Sequence, residues 1–410
     1  MKMRLFDKVT ARLRERGWLS YSRSSASLQV FNQALEWINT HTLEGRGIAA
    51  DSSLRGCDPA ATRRIQAALE LWGEHARSAQ LGKWLADLPA DPPTQAGEVE
   101  VMEADEWIDY CLKEAARAMN AGYSEAARQC LISVAGTQLK DGGYATSSQP
   151  GRLCPLITLE MAALWFRCGE WELGEQAFRA FLKHISRGHG FGARLYDARG
   201  WKEYAQTVAA FLEALHERLR VNFERTAPLF PHSIQPEDGR FAVVESLLKE
   251  DAMPVVADVG CGKGRFIKLL KERHPDIEAW AIDISTAMLG LLPENIHVRE
   301  GSLLATGMPD GAADYVFCIE ALEHAVNVRA AVHELARITA ADGTLLIIDK
   351  NAASLGKMEI CDWEQWFDAD ELTELLQREG FRVEVQRGIY REGRMDPLFL
   401  CWTARRRGAA

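Results

Sequence analysis

The chain has 410 residues, a formal net charge of −10 at pH 7 and an apolar content of 47%. This length favours two domains over one hydrophobic core. The acidic balance argues against a nucleic-acid partner, because such proteins normally present a basic face to the phosphates. No apolar stretch approaches the roughly 20 residues of a membrane-spanning helix.

The first residues and the cysteines favour a cytoplasmic location. Residues 1–7 do not have the apolar core and small-residue cleavage site of a secretory signal. The nine cysteines include no C-x-x-C pair, which argues against both a disulfide framework and a zinc site. We therefore expect reduced thiols and no bound metal, while the oligomeric state stays open.

Residues 1–225 have the pattern of an all-α domain. Apolar residues recur there at spacings of three and four, which is typical of amphipathic helices. The helical segments that this periodicity predicts are 28–38, 65–72, 108–118, 126–134, 156–166, 171–185 and 201–219.

Glycine turns recur within this helical region. They lie at residues 45–48, 141–144 and 188–191, and the second interval is about half the first. Such repetition predicts stacked helical hairpins. The segment from Gln138 to Tyr144 (Q-x-x-D-G-G-aromatic) resembles the turn of α/α-toroid proteins, the squalene-cyclase and prenyltransferase-like class. The resemblance implies an α/α-toroid-like domain, but it implies none of those enzymes' chemistry, because their aspartate-rich motifs are absent.

A proline-punctuated linker and a short lead-in helix occupy residues 226–252, and the pattern then changes. From 253 to 410, short apolar strands alternate with helices, as in a parallel sheet covered by helices. The predicted strands are 255–259, 278–282, 296–299, 314–319 and 344–348, with a turn at 341–343. An antiparallel hairpin is predicted at 381–386 and 398–403.

The first of these strands ends in a glycine-rich loop, Gly260-Cys261-Gly262-Lys263-Gly264, and a helix follows. Glycines at such a junction let the backbone approach a ligand, and the first amides of the helix face it. The spacing does not fit a phosphate-binding loop of the G-x-x-x-x-G-K-[ST] type. It also does not fit a dinucleotide fingerprint, because Arg265 occupies the position of the third glycine.

The loop and its preceding acid, Asp258, give D-x-G-x-G-x-G. This motif resembles the first motif of class I S-adenosylmethionine (SAM)-dependent methyltransferases. The resemblance implies that Asp258 contacts the amino-acid portion of SAM, and that Gly260, Gly262 and Gly264 make room for the methionyl chain. It also implies a Rossmann-like mixed sheet of seven strands with an antiparallel last strand.

Further cofactor contacts are predicted at the ends of the next two strands. Asp283 lies about twenty residues after the glycines, where an acid can accept both ribose hydroxyls. A helix cap is the alternative role for this residue. The resemblance to the methyltransferases also implies that Ile284 packs on the adenine. The family often carries an adenine-binding Gly-Asp step here, and this chain has Gly301-Ser302 followed by Leu303. Ser302 and Leu303 are therefore predicted cofactor contacts, although a hydroxyl accepts a hydrogen bond less strongly than a carboxylate does.

The fourth strand runs into Glu320-Ala321-Leu322-Glu323-His324, which resembles the family's E-x-L-E-H segment beside the transferable methyl group. Glu320 is therefore a predicted cofactor contact. His324 is the candidate general base, since its pKa suits neutral pH. Glu323 and Lys350, also at strand ends, are further candidate catalytic residues. Capping or packing of the loop is the alternative role for Glu323 and His324.

Residues 356–367 combine two tryptophans and a phenylalanine with several acids. This composition suggests an acceptor lid, and a packed hydrophobic flap is the alternative. The full pattern predicts a SAM-dependent methyltransferase that acts on a hydroxyl of a small-molecule, glycan or lipid-linked acceptor. Two alternatives remain: N-methylation of an amine, and a non-catalytic SAM-binding module whose helices form a protein-interaction platform.

Overall fold

The computed structural model of this chain describes residues 26–43, 47–48, 59–86, 104–146, 150–189, 191–193, 202–203, 205–248, 253–356, 361–391 and 394–406. The predictions for residues 1–7, and parts of those for the turns at 45–48 and 188–191 and for the segment 356–367, lie outside these residues. The chain divides into two units: residues 29–223, and the residues from 224 onwards together with 26–28. Among the described residues, no helix has the length and hydropathy needed to cross a lipid bilayer.

The first unit consists largely of helices joined by turns. Helices α1 to α8 are Ala26–His41, Pro59–Leu71, His75–Ala86, Ala104–Asn120, Ser124–Val134, Pro155–Arg167, Trp171–Ser186 and Ala205–Thr226. Short antiparallel ribbons pair β1 (Thr42–Leu43) with β2 (Gly47–Ile48), and β3 (Gly192–Ala193) with β4 (Lys202–Glu203). Each predicted helical segment overlaps one of these helices, whereas α3 had not been predicted.

Two of the glycine turns share one local arrangement. The Ile48 amide donates to Thr62 Oγ1 at 3.2 Å, and the Tyr144 amide donates to Thr158 Oγ1 at 2.9 Å. Both bonds span 14 residues and both are buried. The helices that carry the two threonines, α2 and α6, each have 13 residues and begin at a proline, which suits the first helical turn. The sequence repeat therefore corresponds to repeated local structure.

The second unit is built on one seven-stranded sheet. Its strands β5 to β11 are Val255–Val259, Glu278–Asp283, His297–Glu300, Ala313–Ile319, Thr339–Lys350, Phe381–Arg391 and Arg394–Arg406. The order across the sheet is β10-β11-β9-β8-β5-β6-β7. β11 pairs antiparallel with both of its neighbours, and the pairs from β9 to β7 are parallel. The predicted mixed sheet with an antiparallel last strand is confirmed.

Helices α9 to α13 of this unit are Gly239–Ser246, Arg265–Arg273, Thr286–Leu289, Val328–Ile338 and Ala369–Arg378. The strand order reverses between β5 and β8, so a crevice forms where their carboxyl ends diverge. Buried aromatic and aliphatic side chains from helices and strands, including Phe241, Phe266 and Phe317, form the core beneath it.

The predicted turn at 341–343 lies within β9. There Ala313 of β8 pairs with Thr339, but Tyr315 pairs with Thr344. Residues 340–343 thus lie opposite Asp314 alone and bulge out of the ladder. Pairing continues on both sides of the bulge, which is why the strand is longer than the apolar run that predicted it.

Candidate active site

The glycine loop connects the end of β5 to the start of α10. Gly260, Gly262 and Gly264 have φ of 74°, 54° and 70°, in the left-handed region that other L residues rarely adopt. A Cβ atom on Gly260 would lie 2.4 Å from the Cβ of Ala321. Only glycine therefore allows the loop to touch the turn that follows β8.

Backbone and carboxylate hydrogen bonds hold the loop against β6. The Gly260 and Cys261 amides donate to the Ile282 carbonyl at 2.8 and 3.1 Å. The Gly262 amide donates to Asp283 Oδ2 at 2.8 Å, and the Ser285 amide donates to Asp283 Oδ1 at 2.9 Å. Burial raises the pKa of Asp283, although these amide bonds act in the opposite direction. Asp283 thus lies beside the loop, as its predicted ribose role requires.

Asp258 is a buried acid in β5, two residues before Gly260. Its side chain is 2% exposed, and its Oδ2 atom has no hydrogen-bond partner among the described residues. Burial raises the pKa of this carboxyl to about 7, while the charge of Arg265 lowers it. A buried carboxylate oxygen without a partner costs free energy. A cationic ligand group at this position would remove that cost.

The remaining predicted cofactor residues surround the end of β6. Ile284 and Leu303 are half-buried. The Gly301 amide donates to the Asp283 carbonyl at 3.0 Å, which brings the two strand ends together. Ser302 Oγ accepts the Leu304 amide at 3.2 Å within a tight turn. The structure places these residues near Asp283, and their contacts with adenine remain predictions.

Glu320 is the first residue after β8, and its φ of 53° is the one positive value among the described residues other than glycine. Its carboxylate contacts the guanidinium of Arg240 and, at 2.6 Å, that of Arg265. Arg240 is 2% exposed and also bonds the Asp238 carboxylate at 2.7 Å. The ion pairs of Glu320 with Arg240 and Arg265 hold the strained backbone of Glu320 in place. Sequence reasoning missed both arginines, since no motif spacing connects them to Glu320.

The three predicted catalytic residues meet at the carboxyl ends of β8 and β9. Lys350 Nζ bonds Glu323 Oε1, and His324 Nε2 lies 3.4 Å from the same oxygen. The Glu323 amide donates to Asp349 Oδ2 at 3.0 Å. The His324 side chain is 20% exposed and that of Glu323 is 2% exposed. Two neighbouring strands therefore deliver an acid, a base and an ammonium group to one place.

Burial controls the protonation of this group. It lowers the pKa of His324 and raises the pKa of Glu323 to about 7. It also raises the pKa of Asp349 well above its ordinary value. Burial alone would lower the pKa of Lys350, but Glu323, Asp349 and Glu364 together outweigh it and the net direction is upwards. Near neutral pH the imidazole is consequently uncharged and able to accept a proton.

The described part of the predicted lid, residues 361–367, is packed and offers no open aromatic surface. Trp363, Trp366 and Phe367 are at most 3% exposed. The Phe367 amide donates to the Lys350 carbonyl at 2.9 Å, which pairs the end of this segment with the end of β9. The aromatic side chains of these residues are therefore buried rather than presented to an acceptor. Glu364 and Gln365, which sequence reasoning assigned no role, are also buried here.

Comparison with known proteins supports this description of the second unit. Residues 257–347 match the family model for a methyltransferase domain. An uncharacterized protein of Methanocaldococcus jannaschii is 30% identical over 136 residues, which are 33% of this chain and 58% of that protein. A probable S-adenosylmethionine-dependent methyltransferase of Mycolicibacterium smegmatis is 25% identical over 182 residues, covering 43% of this chain and 71% of the relative.

A solved structure from Thermotoga maritima, a SAM-dependent methyltransferase described as a possible histamine N-methyltransferase, is 18% identical. It has a TM-score of 0.35 and covers 45% of this chain and 92% of that one. The family match, the strand order and the glycine motif identify the second unit as a class I SAM-dependent methyltransferase domain, with SAM as its cofactor. The chain spans 58% of the length of the Methanocaldococcus jannaschii relative.

Proposed function

We propose that the whole chain acts as a SAM-dependent methyltransferase on a hydroxyl of a small-molecule, glycan or lipid-linked acceptor. The observation that supports this most directly is the Asp258 carboxylate, buried beside the glycine loop with one oxygen unpartnered among the described residues. Bound SAM supplies an activated methyl group on a sulfonium centre. The chain must then bind and orient both reactants and accept the proton of the acceptor.

The cofactor residues fit this ligand by charge and shape. Asp258 Oδ2 suits the α-ammonium group of the methionyl part, since a cation would offset the cost of the buried carboxylate. The glycine loop leaves room for the methionyl chain of the ligand at Gly262. A Cβ atom added there would meet only the sulfur of Met288, at 3.5 Å. Asp283 can accept ribose hydroxyls if it exchanges its amide bonds for them or shares them.

His324 supports a hydroxyl acceptor. An alcohol needs a base to take its proton as the new bond to carbon forms, and the lowered pKa of His324 keeps its imidazole neutral for that purpose. Glu323 and Lys350 then act behind it, as a hydrogen-bonded pair that accommodates the added charge.

We also propose that the helical unit is α/α-toroid-like. The recurrence of one turn geometry before two helices of equal length supports this arrangement. The net charge of −10 supports an acceptor other than a nucleic acid.

The cofactor assignment is tested by calorimetric titration of the full chain with S-adenosylhomocysteine and with methylthioadenosine, which lacks the amino-acid portion. In Asp258→Asn we expect S-adenosylhomocysteine to bind at least tenfold more weakly and methylthioadenosine to bind unchanged, because only the first carries the ammonium group. In Asp283→Asn both ligands should weaken, because both carry the ribose. Asp276→Asn, an exposed acid in the turn before β6, is the control.

Equal weakening of both ligands in Asp258→Asn would contradict the assignment of its partner. Absence of binding to the unaltered chain would overturn the cofactor site. If the unaltered chain binds the cofactor, it is next incubated with SAM carrying a radiolabelled methyl group and with panels of hydroxyl and amine acceptors. Incorporation into amines alone would replace the hydroxyl proposal by N-methylation, and incorporation into neither would favour a non-catalytic SAM-binding module.

A further inference from the structure

Gln365, in the segment between β9 and α13, is hydrogen-bonded to the turn that carries His324. The Gln365 amide donates to the Glu323 carbonyl at 2.8 Å. The Gln365 side chain donates through Nε2 to the carbonyls of Ala325 and Val326, at 2.7 and 3.1 Å. These bonds hold the backbone on both sides of His324. Gln365 is 6% exposed, so water competes little for them.

Glu364, its neighbour, is a second carboxylate close to the ammonium group of Lys350. Glu364 Oε1 lies 3.6 Å from Lys350 Nζ and accepts the Trp366 indole N–H at 2.8 Å. Glu364 Oε2 accepts the Cys361 amide at 3.3 Å. Lys350 therefore pairs with two buried carboxylates, of which the E-x-L-E-H segment contains only Glu323.

The charges around the imidazole of His324 are unevenly balanced. The groups that act on it are Glu323, Glu364, Asp349, Asp283 and Lys350. A carboxylate favours the protonated imidazole, and the ammonium group of Lys350 disfavours it. Among these charges Glu364 raises the pKa of His324 and Lys350 lowers it, while burial lowers it most. Glu364 thus opposes the effect of Lys350 on the imidazole.

We propose that Glu364 and Gln365 are positioning residues of the candidate active site. Gln365 fixes the backbone around His324, and Glu364 offsets the effect of the Lys350 charge on the His324 imidazole. This inference rests on the proposed function only in giving His324 the role of base. Its physical content is the protonation of one imidazole, and this can be measured without a known acceptor.

The test is a titration of the imidazole NMR signals of the full chain labelled in histidine, with His324→Gln used to assign the resonance. Glu364→Gln keeps an oxygen for the Trp366 N–H but removes the negative charge. We expect the midpoint of His324 to move to lower pH in Glu364→Gln and to higher pH in Lys350→Met. Opposite directions would not arise from a general loosening of the site.

Glu374→Gln, an exposed acid on α13, is the control and should leave the midpoint unchanged. Binding of S-adenosylhomocysteine should also be unchanged in Glu364→Gln, because Glu364 is not among the cofactor residues. A midpoint that is the same in Glu364→Gln and the unaltered chain overturns the inference, as do shifts in one direction for both variants. If the unaltered chain does not bind S-adenosylhomocysteine, that result would instead count against the proposed function.

Discussion

Replacing Asp258 by asparagine should make the ligand-free domain increasingly stable relative to the unaltered chain as the pH rises from 5 to 8. The folded carboxyl has a pKa of about 7, compared with an ordinary value of 3.8. Between these values the unfolded chain has released a proton that the folded chain still holds. Raising the pH therefore lowers the stability of the unaltered chain across this window, and above about pH 7 no further loss occurs. Asparagine does not titrate, so the variant lacks this loss.

The size of the effect follows from the burial of the residue, which is 2% exposed. At about 1.4 kcal/mol per pH unit, the part of the window between pH 5 and pH 7 corresponds to about 3 kcal/mol. The extra N–H₂ group that asparagine buries costs about 1–3 kcal/mol, equally at all pH values. The change in the stability difference between pH 5 and pH 8 is thus the quantity that isolates the carboxyl.

Urea-dependent hydrogen exchange of the full chain, followed on peptides from β5, measures the opening free energy at this position. Other titrating groups are common to both proteins and cancel in the difference. Asp276→Asn serves as control for an exposed acid. If the difference between Asp258→Asn and the unaltered chain is the same at pH 5 and pH 8, Asp258 does not carry a buried, unpaired charge and the argument for its cationic ligand is wrong.

Two further predictions concern the packing of the loop and of the helical repeat. Gly260→Ala should destabilise the domain more than Gly262→Ala in thermal unfolding. Both variants bear the backbone cost of about 1–2 kcal/mol, but only the first places a Cβ atom 2.4 Å from Ala321; equal losses would contradict the predicted contact. Thr62→Val and Thr158→Val should each cost about 1–3 kcal/mol in urea unfolding, because each leaves a buried amide without its acceptor. An unchanged unfolding curve for one of them would show that the two turns are not equivalent.

Local sequence was enough to predict the cofactor half of the candidate site. The run from Asp258 through the glycine loop is continuous in the chain, and an apolar strand, three glycines and an amphipathic helix can be recognised in order. Asp283 was found because the length of one helix and one strand fixes its distance from the loop. The repeated glycine turns were visible for the same reason, since the bonds from Ile48 and Tyr144 span only 14 residues.

The tertiary structure alone decided the partners of these residues. Arg240 reaches Glu320 across 80 positions, and Gln365 reaches Ala325 across 40. No periodicity encodes such pairs, because they arise when segments distant in the sequence pack against one another. The protonation of Asp258, Glu323 and His324 was likewise undetermined, since it depends on burial and on charges from several elements. The sequence thus predicted the residues of the candidate site, and packing decided their charge and support.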